Sequence, residues 1–526
     1  MNVRELLWKD RRRRILTIVL ACVVVAGFVA LVAFERATSQ WSKDRIVELI
    51  AKRFQSEVEI EDLQVSLLPV PGAEARKVRL LHKGRRDVPP LVQIERLELS
   101  TPIWNLLRYP IHISSVEVDG LLIQIPPREK DHDSDDNDKR DAAEDEESTP
   151  TLAVVDEIVA DGTELRILPK ESFKEPQVYE MERLRLWRVT NNEAMRFETL
   201  MTNAKPPGVI NSKGNFGPWH AGEPGDTPVN GDYDFKDADL GVFSGISGIL
   251  ASTGRYEGRL GRLNVEGECD VPDFTVEASG HPVHLKTKYK AVVDGTSGDT
   301  LLQPVEASFL DTHFTAKGGV VQKRGIKGKT VELDVDIPKA RIEDLLRLAV
   351  KTEPMPLNGD AKVKTHFELP PGEDKIHRRL KLKGTFEIGS AKFPDWSIQK
   401  KVEGLSNRAG GEPEKAPTGD VVSNLSGDFL MGNGTVTLNG LVFAVPSAKV
   451  AMDGDYGVDD ESLDFRGTLT MDAKISEATT GFKSFLAKIV DPFFSKDHAG
   501  SVIPIKVSGS RSDPKFGLAF GGGKRK

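Results

Sequence analysis

Cysteine is nearly absent: Cys22 and Cys269 are the only two in 526 residues. Cys22 sits inside an apolar run, so the two are not placed to pair. So few cysteines exclude a disulfide scaffold and a cysteine zinc site, and the scarcity fits an oxidising compartment. Aromatic residues make up 7%, with six Trp and six Tyr, too few for the girdles of an outer-membrane barrel. A surplus of basic charge is also missing. The formal net charge is -8, and Asp131–Glu147, with ten acids and two bases, accounts for all of it. The remainder is close to neutral and lacks the concentrated basic face that phosphate binding needs, so nucleic acid is excluded as a partner.

Catalytic signatures are missing as well. The chain has no His-Glu-x-x-His, no Gly-x-Ser-x-Gly, no phosphate loop and no zinc spacing. His281 and His284 are the closest pair of histidines, and three residues apart on a strand they point to opposite faces. Asp133, Asp135 and Asp136 offer calcium-type ligands, but the Gly and the closing Glu of a calcium loop are lacking. The chain is therefore read as a non-enzyme without catalytic residues, metal or cofactor.

What is present begins with one long apolar run. Ile15–Phe34 is twenty residues without a charge, and such a helix spans roughly 30 Å, the hydrocarbon core of a bilayer. Lys9 and Arg11–Arg14 precede it, and Glu35 and Arg36 follow. The excess of positive charge on the near side predicts a cytoplasmic N-terminus and a body beyond the membrane. The run is too long for a signal-peptide core, and Glu35-Arg36 follows it without a convincing cleavage site. Residues 1–36 are thus read as a cytoplasmic tail and anchor.

After the anchor, Ser42 caps a predicted helix over Lys43–Gln55, whose Ile46, Leu49, Ile50 and Phe54 recur at helical spacing. The period then changes to two. Val92–Ile94 and Leu97–Leu99 alternate with a slip between them, and Ile111–Ile125 reads as two short strands around Asp119-Gly120. Residues 129–150 form an acidic linker or loop, which separates a region at 37–128 from a central region at 151–410 and a C-terminal region at 411–526.

Beyond the linker the alternation is regular. Leu285, Tyr289 and Val293 share one face of a predicted strand, with Lys286, Lys288 and Lys290 on the other. Leu333 and Val335 repeat the pattern, as do Phe367, then Phe386 with Ile388, then Phe465, Leu469 and Met471. Gly, Asp and Asn punctuate the runs, as at Asp294-Gly295 and Asn433-Gly434. These are antiparallel strands with one dry and one wet face. Parallel units with crossover helices are excluded, because only Arg341–Val350 and Glu477–Val490 read as helical. The predicted fold is mainly β: an elongated, strongly curved antiparallel sheet forming an open groove, with one N-terminal transmembrane helix and a few short helices. Two ways of covering the dry face remain open: packing two sheets into sandwiches, or leaving an apolar trough whose natural cargo is an acyl chain.

Several segments resemble the AsmA-like family of bacterial envelope proteins. Near the N-terminus these are the anchor, Lys43–Gln55, Val58–Leu63 and Val116–Leu121. Near the C-terminus they are Val421–Gly427, Leu463–Lys474, Thr479–Ser484, Ile503–Gly509 and Ser510–Leu518, and Leu301–Lys317 is similar in the middle. The resemblance implies an inner-membrane anchor, a periplasmic β-body and a role in envelope homeostasis. Larger relatives resemble bridge-like lipid transfer proteins with a repeating β-groove. It thus implies that phospholipid is held or conveyed in the groove, with Leu285, Tyr289, Val293, Leu333, Val335, Phe367, Phe386, Ile388, Phe465, Leu469 and Met471 as its lining. About twenty strands at ~4.8 Å give a groove on the order of 100 Å, short for a complete bridge. The alternative is a non-transporting scaffold that works with outer-membrane or periplasmic assembly proteins.

Overall fold

The computed structural model describes residues 58–66, 71–81, 89–106, 109–125, 153–168, 177–190, 193–220, 224–323, 326–412, 414–472 and 501–519. The predicted anchor Ile15–Phe34, the helices over Lys43–Gln55 and Glu477–Val490, and the acidic stretch Asp131–Glu147 lie outside these residues. Among the described residues no helix is long and apolar enough to cross a membrane. Twenty-four strands dominate them, with only short helices between, so the chain is mainly β. Two compact units divide it. One takes Met1–Ala204, Val209–Tyr233 and Glu257–Gly261; the other takes Lys205–Gly208, Asp234–Tyr256 and Arg262–Lys526.

In the first unit, β1 (Val58–Ser66), β2 (Gly72–Leu80), β3 (Val92–Ser100) and β4 (Ile111–Ile125) follow one another. They pair as antiparallel neighbours, with the short helix α1 (Ile103–Leu106) before β4. β5 (Ala153–Ile167), β6 (Gln177–Val189) and β7 (Met195–Ala204) continue the sheet. Two features depart from the sequence reading. Ile111–Ile125 is a single strand of 15 residues, because Gly120 absorbs a left-handed φ of +64° without losing register. In addition, β4 and β5 are parallel. The residues that connect them, 126–152, lie outside the described residues. Val116, Val118 and Ala160 are buried, with Ile94, Leu97, Leu121 and Leu184 packed against them.

Strands β8 (Pro207–Phe216), β9 (Pro228–Asp239), β10 (Ile246–Ser247) and β11 (Ile249–Arg259) come next in the chain. Thirteen more follow in the second unit: β12 (Arg262–Val276), β13 (Pro282–Val293), β14 (Thr300–Phe309), β15 (Thr312–Val321), β16 (Thr330–Arg341), β17 (Asn358–Leu369), β18 (Lys381–Lys392), β19 (Ser423–Gly432), β20 (Thr435–Val445), β21 (Ala448–Gly457), β22 (Ser462–Met471), β23 (Ser501–Ser510) and β24 (Pro514–Leu518). Each pairs antiparallel with the next.

The core of this unit gathers at one end of the strands. There α2 (Ile342–Arg347), within the predicted helical stretch, links β16 to β17, and α4 (Trp396–Ala409) links β18 to β19. Around α2, Ile337, Ala340, Ile342, Leu357, Ala361, Ile388 and Ala391 form one buried cluster. Beside α4, Val402, Ala409, Val445, Ala448, Met471 and Ile503 form another. α4 starts where Asp395 accepts a hydrogen bond from the Ser397 N–H at 2.7 Å. At the opposite end of the strands the loop 370–380, between β17 and β18, carries the single-turn α3 (Ile376–Arg379).

Candidate functional site

The register of the second unit assembles the apolar residues into rows that cross many strands. One row runs Val265, Ala291, Leu302, Gly318, Leu333, Phe367, Leu382, Met431, Val436, Tyr456 and Leu463, each directly opposite the next. A second runs Ala316, Val335, Thr365, Gly384, Phe429, Leu438, Gly454, Phe465 and Val507. Directly opposed residues share a face, so β12 to β23 present one continuous apolar surface.

Burial along this surface is uneven. Ile388, Phe465 and Met471 are buried at 8%, 7% and 7% exposure, and Ile388 and Met471 belong to the clusters under α2 and α4. Leu285, Tyr289, Val293, Leu333, Val335, Phe367, Phe386 and Leu469 are only half-buried. All of the predicted lining residues lie on one face, but Val335, Phe386 and Leu469 also pack against those clusters, which leaves Leu285, Tyr289, Val293, Leu333 and Phe367 half-buried outside them. Apolar area left in water costs about 25 cal/mol per Å², so a surface of this length calls for a cover.

Glycines shape the same face. A Cβ added to Gly384 would stand 2.7 Å from Phe429 Cζ and also meet the backbone of β17. Phe429 lies over the glycine opposite it, and its ring is 6.4 Å from that of Phe386. The neighbouring backbone comes too close for a Cβ there, and glycine is the residue that fits.

Ser252, Cys269, Thr287 and Ala307, together with charged neighbours such as Lys288 and Glu268, line a hollow of about 500 Å³, and Tyr289 Oη is 3.3 Å from Ser252 Oγ. The opposite, wet face carries cross-strand ion pairs: Lys288 with Glu268 at 3.2 Å, Lys364 with Asp336 at 3.2 Å, and Lys323 between Glu332 and Glu368 at 3.0 and 3.3 Å. Hydrogen bonding to Glu332, then to Glu368, raises the Lys323 pKa above the ordinary lysine value. Exposed pairs of this kind are worth little individually, yet they leave this surface with balanced charge.

Among the described residues no group of three or more His, Cys, Asp and Glu side chains could hold a metal ion. His281 and His284 go separate ways: His281 Nδ1 is 3.5 Å from Glu353, and His284 Nε2 is 2.7 Å from Asp270. Sequence reasoning missed Phe429, Met431, Val436 and Leu438 as members of the apolar rows. Leu425, Phe429 and Met431 do alternate, but Gly427 interrupts them, and in β20 a register shift between Leu438 and Leu441 breaks the period.

Comparison with known families matches residues 9–151 to the AsmA family. No curated protein and no solved structure matches the chain.

Proposed function

Since the chain is AsmA-like over residues 9–151, we propose that it is an envelope protein of the bacterial inner membrane that holds or conveys phospholipid acyl chains on the apolar face of β12 to β23. In this reading Ile15–Phe34 is the anchor, the N-terminus is cytoplasmic and the body is periplasmic. The protein acts by binding rather than by catalysis. The observation that carries the proposal is the continuous apolar row from Val265 to Leu463, whose members from Leu333 to Leu382 remain half-buried. Acyl chains supply the missing cover, because their transfer from water has the same driving force as that of a side chain. Polar headgroups can stay in water at the mouth.

The test is photocrosslinking of the full chain in bacterial cells, with a photoreactive residue at Phe367 on the apolar face or at His366 on the opposite face. Phospholipid captured at position 367 and not at 366, and lost when Leu469→Asp places a carboxylate on the same surface, supports the carrier. No lipid at 367, or equal capture at both positions, leaves the chain as a scaffold that works through protein partners such as outer-membrane assembly factors.

A further inference from the structure

The loop 370–380 leaves β17 at the end of the strands opposite α2 and α4, and it is held in three ways. Arg379 closes it on itself, donating from Nε to the Asp374 carbonyl at 2.8 Å and from Nη1 to the Pro370 carbonyl at 2.6 Å. His377 and Arg378 reach past the β19–β20 turn to Asp459, between β21 and β22. There His377 Nε2 lies 2.8 Å from Oδ1, and Arg378 Nε donates to Oδ2 at 2.9 Å. At the tip, Ile376 Cδ1 fills the space that a side chain on Gly245 would need.

That last contact joins opposite rims of the sheet. Gly245 precedes Ile246, which pairs with Val276 at the far end of β12, the rim that also carries α2 and α4. Resting on the lipid-binding reading above, we infer that residues 370–380 form a strap across the apolar face of β12 to β16, latched at Asp459, and that lipid enters or leaves this stretch when the strap lifts. The loop is built for such a role: Pro370, Pro371 and Gly372 form its first arm, and the tip is fastened by one isoleucine rather than by strand pairing.

The experiment uses the full chain with Cys22→Ser and Cys269→Ser, adding Gly245→Cys and Ile376→Cys to lock the strap with a disulfide. Exchange is followed by adding vesicles of phosphatidylethanolamine and phosphatidylglycerol that carry a fluorescent-acyl phospholipid. The locked form is expected to exchange about an order of magnitude more slowly, with recovery on reduction. Gly245 has φ +86°, where cysteine is strained, so a second variant leaves that position alone. Asp459→Asn removes the latch charge and is expected to speed exchange. Failure of the disulfide to form, or equal rates for locked, reduced and Asp459→Asn chains that still capture lipid at position 367, overturns the strap and leaves the carrier standing. Absence of lipid from every form, the parent included, overturns the carrier and the strap with it.

Discussion

Asp119 of β4 and Asp161 of β5 stand directly opposite each other on parallel strands, and each is followed by a glycine at φ +64°. Val116–Ile125 and Ile158–Ile167 thus carry the same element, laid side by side with each residue next to its counterpart. The AsmA match ends at residue 151, so the second copy lies just beyond it.

The two glycines should respond differently to alanine. Around Gly162 nothing lies within 4 Å of an added Cβ, whereas at Gly120 the Glu95 Cγ would be 2.7 Å away. Gly162→Ala is expected to lose only the left-handed backbone term, about 1–2 kcal/mol. Gly120→Ala should lose that and more, because Glu95 must move. Urea midpoints of the two purified variants check this, and equal losses would count against the contact.

On the apolar face, Gly384→Ala should destabilise by about 1–3 kcal/mol through overpacking against Phe429 and β17. Gly432, at the end of β19, has open space around it, and alanine there is the control. Thermal unfolding of the pair reports whether the site of Gly384 is as crowded as described.

Asp344 gives a pH dependence. It is 7% exposed, and its Oδ2 accepts from Thr312 Oγ1 at 2.9 Å and from the Asp311 N–H at 3.2 Å. Burial nevertheless pushes its carboxyl above the ordinary Asp value. Between that value and the raised native one, the folded chain binds more protons than the unfolded chain, so this group's contribution to stability falls as pH rises. Asp344→Asn keeps an acceptor for Thr312 without the charge. The variant should match or exceed the parent near neutral pH, and its advantage should shrink as pH falls through the native Asp344 pKa towards about 4. Denaturation midpoints across that range decide it.

Gln399 ties α4 to its surroundings, accepting from the Phe393 N–H at 3.1 Å and donating to the Val421 carbonyl at 2.7 Å. At 4% exposure, its loss in Gln399→Ala leaves two backbone groups without partners. The expected cost is about 2 kcal/mol or more, with protease cleavage appearing first between residues 393 and 422. Unchanged stability would mean that water replaces the side chain.

The same helix shows what sequence could not reveal. Its buried face includes Gln399, Glu403 and Ser406 beside Val402 and Ala409, so hydrophobic periodicity is weak and hydrogen bonds to loops take its place. Strands such as β13 and β22 were legible because their dry and wet faces alternate without interruption through Leu285, Tyr289 and Val293, or Leu463, Phe465 and Leu469. The β4–β5 pairing was hidden for another reason: a mid-strand glycine looks like a turn, and parallel pairing is a long-range choice that leaves no local pattern. The lining residues could be placed on one face from their spacing, but the packing of Ile388 and Met471 under helices depends on segments distant in the chain.

The parallel β4–β5 pair also bears on how the chain finds its structure. Most neighbouring strands in the second unit are joined by short turns and can zip together as hairpins. β5 must instead wait while residues 126–152 travel back along a strand of 15 residues, about 50 Å at 3.3 Å per residue. Closing that loop costs entropy before any ladder bond is gained. Association of β5 with β4 is therefore the slow step expected in assembling the first unit, and shortening the acidic segment should accelerate refolding until the remaining residues no longer reach.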